Sequence, residues 1–439
     1  MRHLLLLCNR PAPDANAATI SEHLDSFGQM PGWKVWELSM LGNIPRGIDL
    51  SRFDAVGIHY TLHLSDPNHH FLSPAAIQRL AEFHGLKCIW LHDEYRRVQQ
   101  VLRILETAGV HIIFSLANGE TLKVLYPADV LPSTRLETVL AGYLSQMWLQ
   151  QSPPPIAQRP IEVGYRARRP PYWLGALGQE KINIGIGFAT CPETAVLLQD
   201  ISLEEQHRLY GDCWIKFLAN CRTVLCVESG ASVIDFTGEI EQQVEVACDA
   251  DKSLTFEEAS RRFLQGVDGR YMINPISPRV LEAAAMRCVM VAFPGHYSGL
   301  MRPWVHYIPL AKDFSNIDEV VAAIRDTALL ERIAEQAWKD LACSPTNSYK
   351  AFAQHCAAVM DEEYAARPAL QPVVCSYTAT QFAWILRCSP SHMYRKHVAQ
   401  TLQRVLFSSG VRGWMFRLWY VLPTSVRQLI RPALKLIGR

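Results

Sequence analysis

Three stretches of this 439-residue chain carry side chains whose types and spacing suit a phosphorylated, hydroxyl-rich ligand. The first is 274–299, NPISPRVLEAAAMRCVMVAFPGHYSG. Ser277-Pro278 marks a helix start, a capping side chain followed by Pro at the first helical position. Arg279 and Glu282 fall in its first two turns, and a buried run at 289–293 leads to Tyr297, Ser298 and Gly299. Glu282 could accept from hydroxyls, Arg279 could add charge, and loop N–H groups could meet phosphate oxygens. The same residues also fit a solvated or structurally paired carboxylate.

The second stretch follows the strand 87–91, which ends in His92-Asp93-Glu94. A histidine titrating near neutrality can act as acid, base or hydrogen-bond donor to a sugar. Asp93 could tune it, while Glu94 and His59, after the strand 54–58, could touch an acceptor hydroxyl. A helix N-terminus served by Asp93 or Glu94 is the competing reading. In the third stretch Arg166, Arg168 and Lys181 flank a turn with Gly175 and Gly178, offering charge and close backbone approach for a diphosphate. A bare RxRR is otherwise a solvated surface or an RNA contact. Glu228 and Ser229 stand at the end of another strand. Their segment, ESGAS, lacks the Gly-x-Ser-x-Gly order, which excludes a serine hydrolase. No Walker A, HExxH or intact GxGxxG sequence occurs. Asp235, Glu239 and Asp313 have no metal-ligand spacing, so no metal site is expected.

Short apolar strands alternating with amphipathic helices must position these residues. They predict an α/β architecture of two Rossmann-like, doubly wound domains, with polar residues gathered at the carboxyl edges of the strands. The expected divisions are a first domain at 1–150, a Pro-rich linker at 151–160, a second domain at 161–345, a closing helix at 346–368 and a tail at 369–439. Strands are expected at 3–8, 54–58, 87–91, 112–114, 182–186, 223–227, 289–293 and 306–309, with a further one ending at 162–164. The 12 cysteines are scattered without a CxxC pair, as in a cytosolic protein with reduced thiols. No run of about 18 apolar residues suggests a membrane span.

The formal charge of +1 conceals an asymmetry. Residues 369–439 hold ten Lys and Arg and no Asp or Glu, so all 42 acidic residues lie in the body. In 425–439 Val426, Leu429, Ile430, Ala433, Leu434, Leu436 and Ile437 share one helical face, and Arg427, Arg431, Lys435 and Arg439 the other. With Trp414, Phe416, Trp419 and Tyr420 upstream, 411–439 reads as a peripheral contact with an anionic membrane surface at the cytoplasmic face. Packing on the body and nucleic-acid binding are the alternatives, the latter not expected.

The order of strands and edge motifs over most of 1–365 resembles the GT-B glycosyltransferases. Segments such as GYRARRPPYWLGALGQEK, VESGASVIDFTGEI, ISPRVLEAAA and HYSGLMRPWVHYIPLAKDFSN look like uncharacterised bacterial glycosyltransferases of polysaccharide biosynthesis, retaining and family-four-like. The resemblance implies transfer of a sugar from a nucleotide diphosphate sugar to a saccharide or lipid-linked hydroxyl, without a metal or other cofactor. Arg166 and Lys181 then grip the diphosphate, Glu228, Ser229, Arg279, Glu282, Tyr297, Ser298 and Gly299 complete the donor side, and His92 lies beside the reacting sugar. Glu282 matches the second carboxylate of the family's Glu-x7-Glu pattern, whereas the first position holds Asn274. That departure leaves retention or inversion open, and it favours the alternative of a non-catalytic nucleotide-sugar-binding scaffold.

Overall fold

The computed structural model describes residues 1–11, 18–370, 373 and 376–389. Within them lie two parallel sheets. The first comprises β1 (Arg2–Cys8), β2 (Trp33–Ser39), β3 (Ala55–Ile58), β4 (Leu86–Trp90), β5 (Ile112–Ser115) and β6 (Arg135–Thr138), in the order β2-β1-β3-β4-β5-β6. Leu4 to Leu7 are fully buried, the signature of a central strand covered by helices on both faces.

The second sheet comprises β7 (Ile161–Arg166), β8 (Gln199–Ser202), β9 (Cys221–Cys226), β10 (Val289–Ala292) and β11 (Tyr307–Pro309), in the order β11-β10-β9-β7-β8. Counted from its own first strand, each sheet runs 2-1-3-4-5, and the first adds a sixth. The order reverses between β1 and β3 in one sheet and between β7 and β9 in the other. Such reversals open a crevice beyond the carboxyl ends of the strands. The two doubly wound α/β units agree with the GT-B architecture that the resemblance implies.

Carboxyl edge faces carboxyl edge. The loop after β4 bonds main chain to main chain with the loop after β9: Asp235 N–H donates to Tyr95 O (2.8 Å) and Gln99 N–H to Phe236 O (3.0 Å). Beside this contact Arg96 pairs with Glu241 through both ends of its guanidinium. On another side the outgoing chain at Leu144 exchanges hydrogen bonds with the returning chain at Asn347 and Tyr349. The returning helix Tyr349–Ala365 then buries Phe352, Cys356 and Met360 in the core of the first sheet. The segment before β7 is anchored as well, because Arg159 is buried and donates to Pro154 O (2.9 Å) and Cys221 O (2.9 Å).

One expected strand is a helix. Residues 182–186 lie inside the helix Gly175–Thr190. Its alternating Ile and Gly mimic a strand, but the glycines serve close packing: a Cβ at Gly185 would stand 3.1 Å from the Tyr165 ring, and one at Gly187 would overlap the Phe314 ring. Strands β2, β6 and β8 have no counterpart in the sequence reading. Of the basic tail, the helix Ala379–Arg387 is capped by Thr378 and Gln381 and sends Phe382 into the first core. The amphipathic stretch 411–439 lies outside the described residues. Among the described residues no helix is long and apolar enough to cross a membrane.

Candidate active site

β4 leads straight into Leu91-His92-Asp93, where Asp93 takes a positive φ of 54° and turns the chain toward the second domain. The His92 ring lies flat on Tyr60, with centroids 3.8 Å apart and planes at 9°. Burial pushes the imidazole down to about 4, so it is neutral at pH 7 although Asp93 is adjacent. Burial alone would raise Asp93, yet the Tyr95 hydroxyl (2.6 Å) and Arg96 hold it below the usual carboxylate range.

The acceptor-side candidates His59 and Glu94 line one small cavity with His92 and Asp93, yet their polar atoms already have partners. His59 is wholly buried. Its Nδ1 accepts the Thr61 N–H (3.2 Å), so its Nε2–H donates to His23 Nδ1 (2.9 Å), and both rings are held neutral by burial. Glu94 turns inward and accepts from the Ser115 hydroxyl, the Leu116 N–H (2.7 Å) and the Tyr126 hydroxyl, fixing the loop after β5. Both residues stand at the edge in sequence, but their polar atoms are consumed within the domain.

In the second domain the reversal point brings Arg168 after β7, Lys181 on the helix 175–190 and Arg279 at the start of the helix Pro278–Ala285 into one group. Burial, then the charges of Arg168 and Arg279, push Lys181 down to about 8, with Asp93 across the cleft pulling it the other way. None of the three forms an ion pair among the described residues, although Asp93 acts on Lys181 and Glu282 lies within electrostatic reach of Arg279. Arg279 is fixed by donation to Arg166 O and by stacking over Trp214 at 5.1 Å. Trp214 Nε1 in turn donates to Glu282 Oε2 (2.7 Å), and burial raises Glu282 to about 7. Trp214 was missed from sequence, because its helix, Gly211–Asn220, carries no motif around that residue.

Other donor-side residues are committed elsewhere. Arg166, the last residue of β7, points to β8, where one guanidinium nitrogen donates to both Asp200 carboxylate oxygens at 2.8 Å and another to the Asp200 carbonyl. It is a bracket between strands, whereas Arg168, two residues beyond the end of β7, is exposed. The glycine turn offers no open N–H groups either. Asp268 accepts from Ala176 N–H (3.0 Å) and Ser232 Oγ from Leu177 N–H (3.0 Å), and with φ at +76° a Cβ on Gly175 would strike both side chains. Tyr297 is fully buried, its hydroxyl on Phe293 O (2.6 Å), while Ser298 Oγ accepts from Ile276 N–H (3.1 Å) and Gly299 N–H bonds to His296 O (2.8 Å). This loop is therefore closed on itself, with positive φ at all three residues.

Asn274 and Glu228 meet. The Asn274 amide reaches both Glu228 oxygens at 3.2 and 3.3 Å, and Tyr297 N–H donates to Oε1 at 2.7 Å. Ser229 is half-buried beside them, its N–H on Pro275 O (3.0 Å). Asp235 places its oxygens on the N–H groups of Gly238 (2.7 Å) and Glu241 (2.9 Å), and among the described residues no acidic, His or Cys group clusters as metal ligands do.

No family model matches the sequence, and no curated protein matches it. Among solved structures, HepE from Anabaena in complex with UDP has 13% identity and a TM-score of 0.49, covering 82% of this chain and 100% of its own. An α-glucosyltransferase in complex with UDP has 11% identity and a TM-score of 0.46, covering 83% and 99%. Sucrose-phosphate synthase from Thermosynechococcus elongatus has 10% identity and a TM-score of 0.44, covering 83% and 100%. The fold assignment stands on the strand orders above, not on these likenesses.

Proposed function

We propose that the chain is a GT-B glycosyltransferase that moves a hexosyl group from a nucleotide diphosphate sugar to a hydroxyl of a saccharide or lipid-linked acceptor. The observation that carries this reading is the gathering of Arg168, Lys181 and Arg279 opposite His92 and Asp93 at two facing carboxyl edges. As the sugar–oxygen bond breaks, negative charge builds on the leaving diphosphate. Preorganised cations stabilise that charge more in the departing group than in the bound donor. Side chains thus supply the charge a metal ion would otherwise bring, and the reading is of a metal-independent transfer. His92, neutral at pH 7, serves as a hydrogen-bonding group beside the sugar and not as a cation. Asp93 stays ionised at the mouth of the acceptor side. The tail 411–439 would hold the enzyme at the cytoplasmic face of an anionic membrane, as its basic amphipathic sequence suggests, and would bring a lipid-linked acceptor near.

A thermal-shift screen of UDP-, GDP- and dTDP-linked hexoses, followed by hydrolysis and transfer assays, tests the reading. Stabilisation by one nucleotide series with turnover lost in His92→Ala is the expected result. Binding without turnover would instead make the chain a nucleotide-sugar scaffold, and no binding would refute both. Cosedimentation with phosphatidylserine vesicles, with and without 412–439, tests the tail.

A further inference from the structure

Glu228 is a buried carboxylate. It is 7% exposed and enters no ion pair among the described residues, although the nearby Glu180 takes Lys312. Its position follows β9, at the side of the crevice where the strand order reverses, opposite Arg168 beyond β7. Neutral donors fix it: the Tyr297 N–H and the Asn274 amide both reach Oε1, while Oε2 receives only the longer amide contact at 3.3 Å. Because the Asn274 nitrogen points to Glu228, its carbonyl oxygen points away, giving a second acceptor beside the first. Gly295 completes the arrangement. A Cβ there would lie 2.7 Å from Glu228 Oε2, so the missing side chain keeps space open next to that oxygen.

Two acceptors, one of them a charged oxygen with spare capacity, call for a ligand rich in O–H donors. An anion is repelled by the carboxylate, and a cation would find few further ligands. A neutral polyol fits, since each hydroxyl can donate to one acceptor. We infer that Glu228, oriented by Asn274 and the Tyr297 N–H, reads adjacent hydroxyls of the hexose in the donor, so that the pair selects the sugar while the three cations bind the diphosphate. This inference rests on the donor site proposed above.

The two roles separate in binding experiments on the full chain. Probes are UDP-, GDP- and dTDP-linked hexoses, their deoxyhexose counterparts, and UDP, GDP and dTDP alone. Glu228→Gln keeps an acceptor for the Tyr297 N–H and removes a negative charge. It should weaken the hexose conjugate by about tenfold or more, since a hydrogen bond to a charged group is lost. The same change should leave the free nucleoside diphosphate unchanged or bound a few-fold more tightly, because a repulsive charge has gone. Discrimination between hexose and deoxyhexose conjugates should shrink in Glu228→Gln and also in Asn274→Ala, which keeps the carboxylate but frees it to turn. A structural role alone would lower both affinities together. Equal losses for conjugate and free diphosphate, or undiminished discrimination, overturn the inference and leave the donor site standing. Failure of the unaltered chain to bind any probe overturns both.

Discussion

The carboxyl edges of the two sheets are built on the same strand order, yet they treat their polar residues in opposite ways. In the first domain His59 and Glu94 turn inward and spend their polar atoms on His23, Thr61, Ser115, Leu116 and Tyr126. In the second, Arg168, Lys181 and Arg279 are kept together at the cost of mutual repulsion. A residue's place after a strand brings it near the crevice. Whether it meets a ligand depends on what else satisfies it. On the proposed function, the gathered like charge is what would bind at the second edge, while the satisfied polar groups of the first serve as scaffold.

The sharpest way to break this contrast is to remove the cations. Arg168→Ala with Lys181→Ala should weaken nucleoside diphosphate binding by at least about 100-fold, from two charge-assisted bonds of roughly 1.5–3 kcal/mol each. His59→Gln should leave it within twofold. Calorimetry on the two variants decides, and a double variant that still binds would remove the basis of the donor site. The contact joining the edges should matter for stability: Arg96→Ala strands Glu241 in a buried setting and should cost about 3 kcal/mol. Denaturant melts should also show that Arg96→Ala with Glu241→Ala costs less than the two single changes combined.

A subtler separation lies within one sequence motif. Arg166→Ala should lower stability by about 1–2 kcal/mol and leave nucleotide affinity alone, whereas Arg168→Ala should do the reverse. Comparable effects from both would mean that the bracket and the binding group are not distinct. The smallest effects concern pH. Lys181, at about 8, is charged below that value, so nucleotide affinity should decline as pH rises from 7 to 9, and Lys181→Arg should flatten the decline. His23, His59 and His92 have folded values depressed below the usual figure of about 6.5. Their contribution to stability is therefore complete above that pH and is lost as pH falls below it, because the unfolded chain takes up the protons. Hydrogen exchange at pH 5 should show the first domain opening before the second.

Much of the architecture was legible in the sequence because both sheets have buried parallel strands, and these appear as continuous apolar runs such as Leu4–Leu7. The half-exposed edge strand β8 leaves no such run, and the glycines of 182–187 hid a helix by imitating alternation. The site was legible at the level of segments and less so at the level of atoms. Sequence placed Arg166 and Arg168 together but could not tell which faces β8. It marked Asn274 as a lost carboxylate without revealing that its amide orients Glu228, a partner 46 residues away. Long-range pairing of this kind depends on the register of β9 against β10, which no local pattern encodes.

The helix Tyr349–Ala365 has a consequence for biosynthesis. The ribosome delivers all six strands of the first sheet before the second begins, but the core they enclose still lacks Phe352, Cys356 and Met360. The domain that is made first is thus completed last. Until the chain has emerged past residue 365, the nascent first domain displays an apolar groove to whatever is nearby, and a truncation before that point would leave the groove exposed permanently.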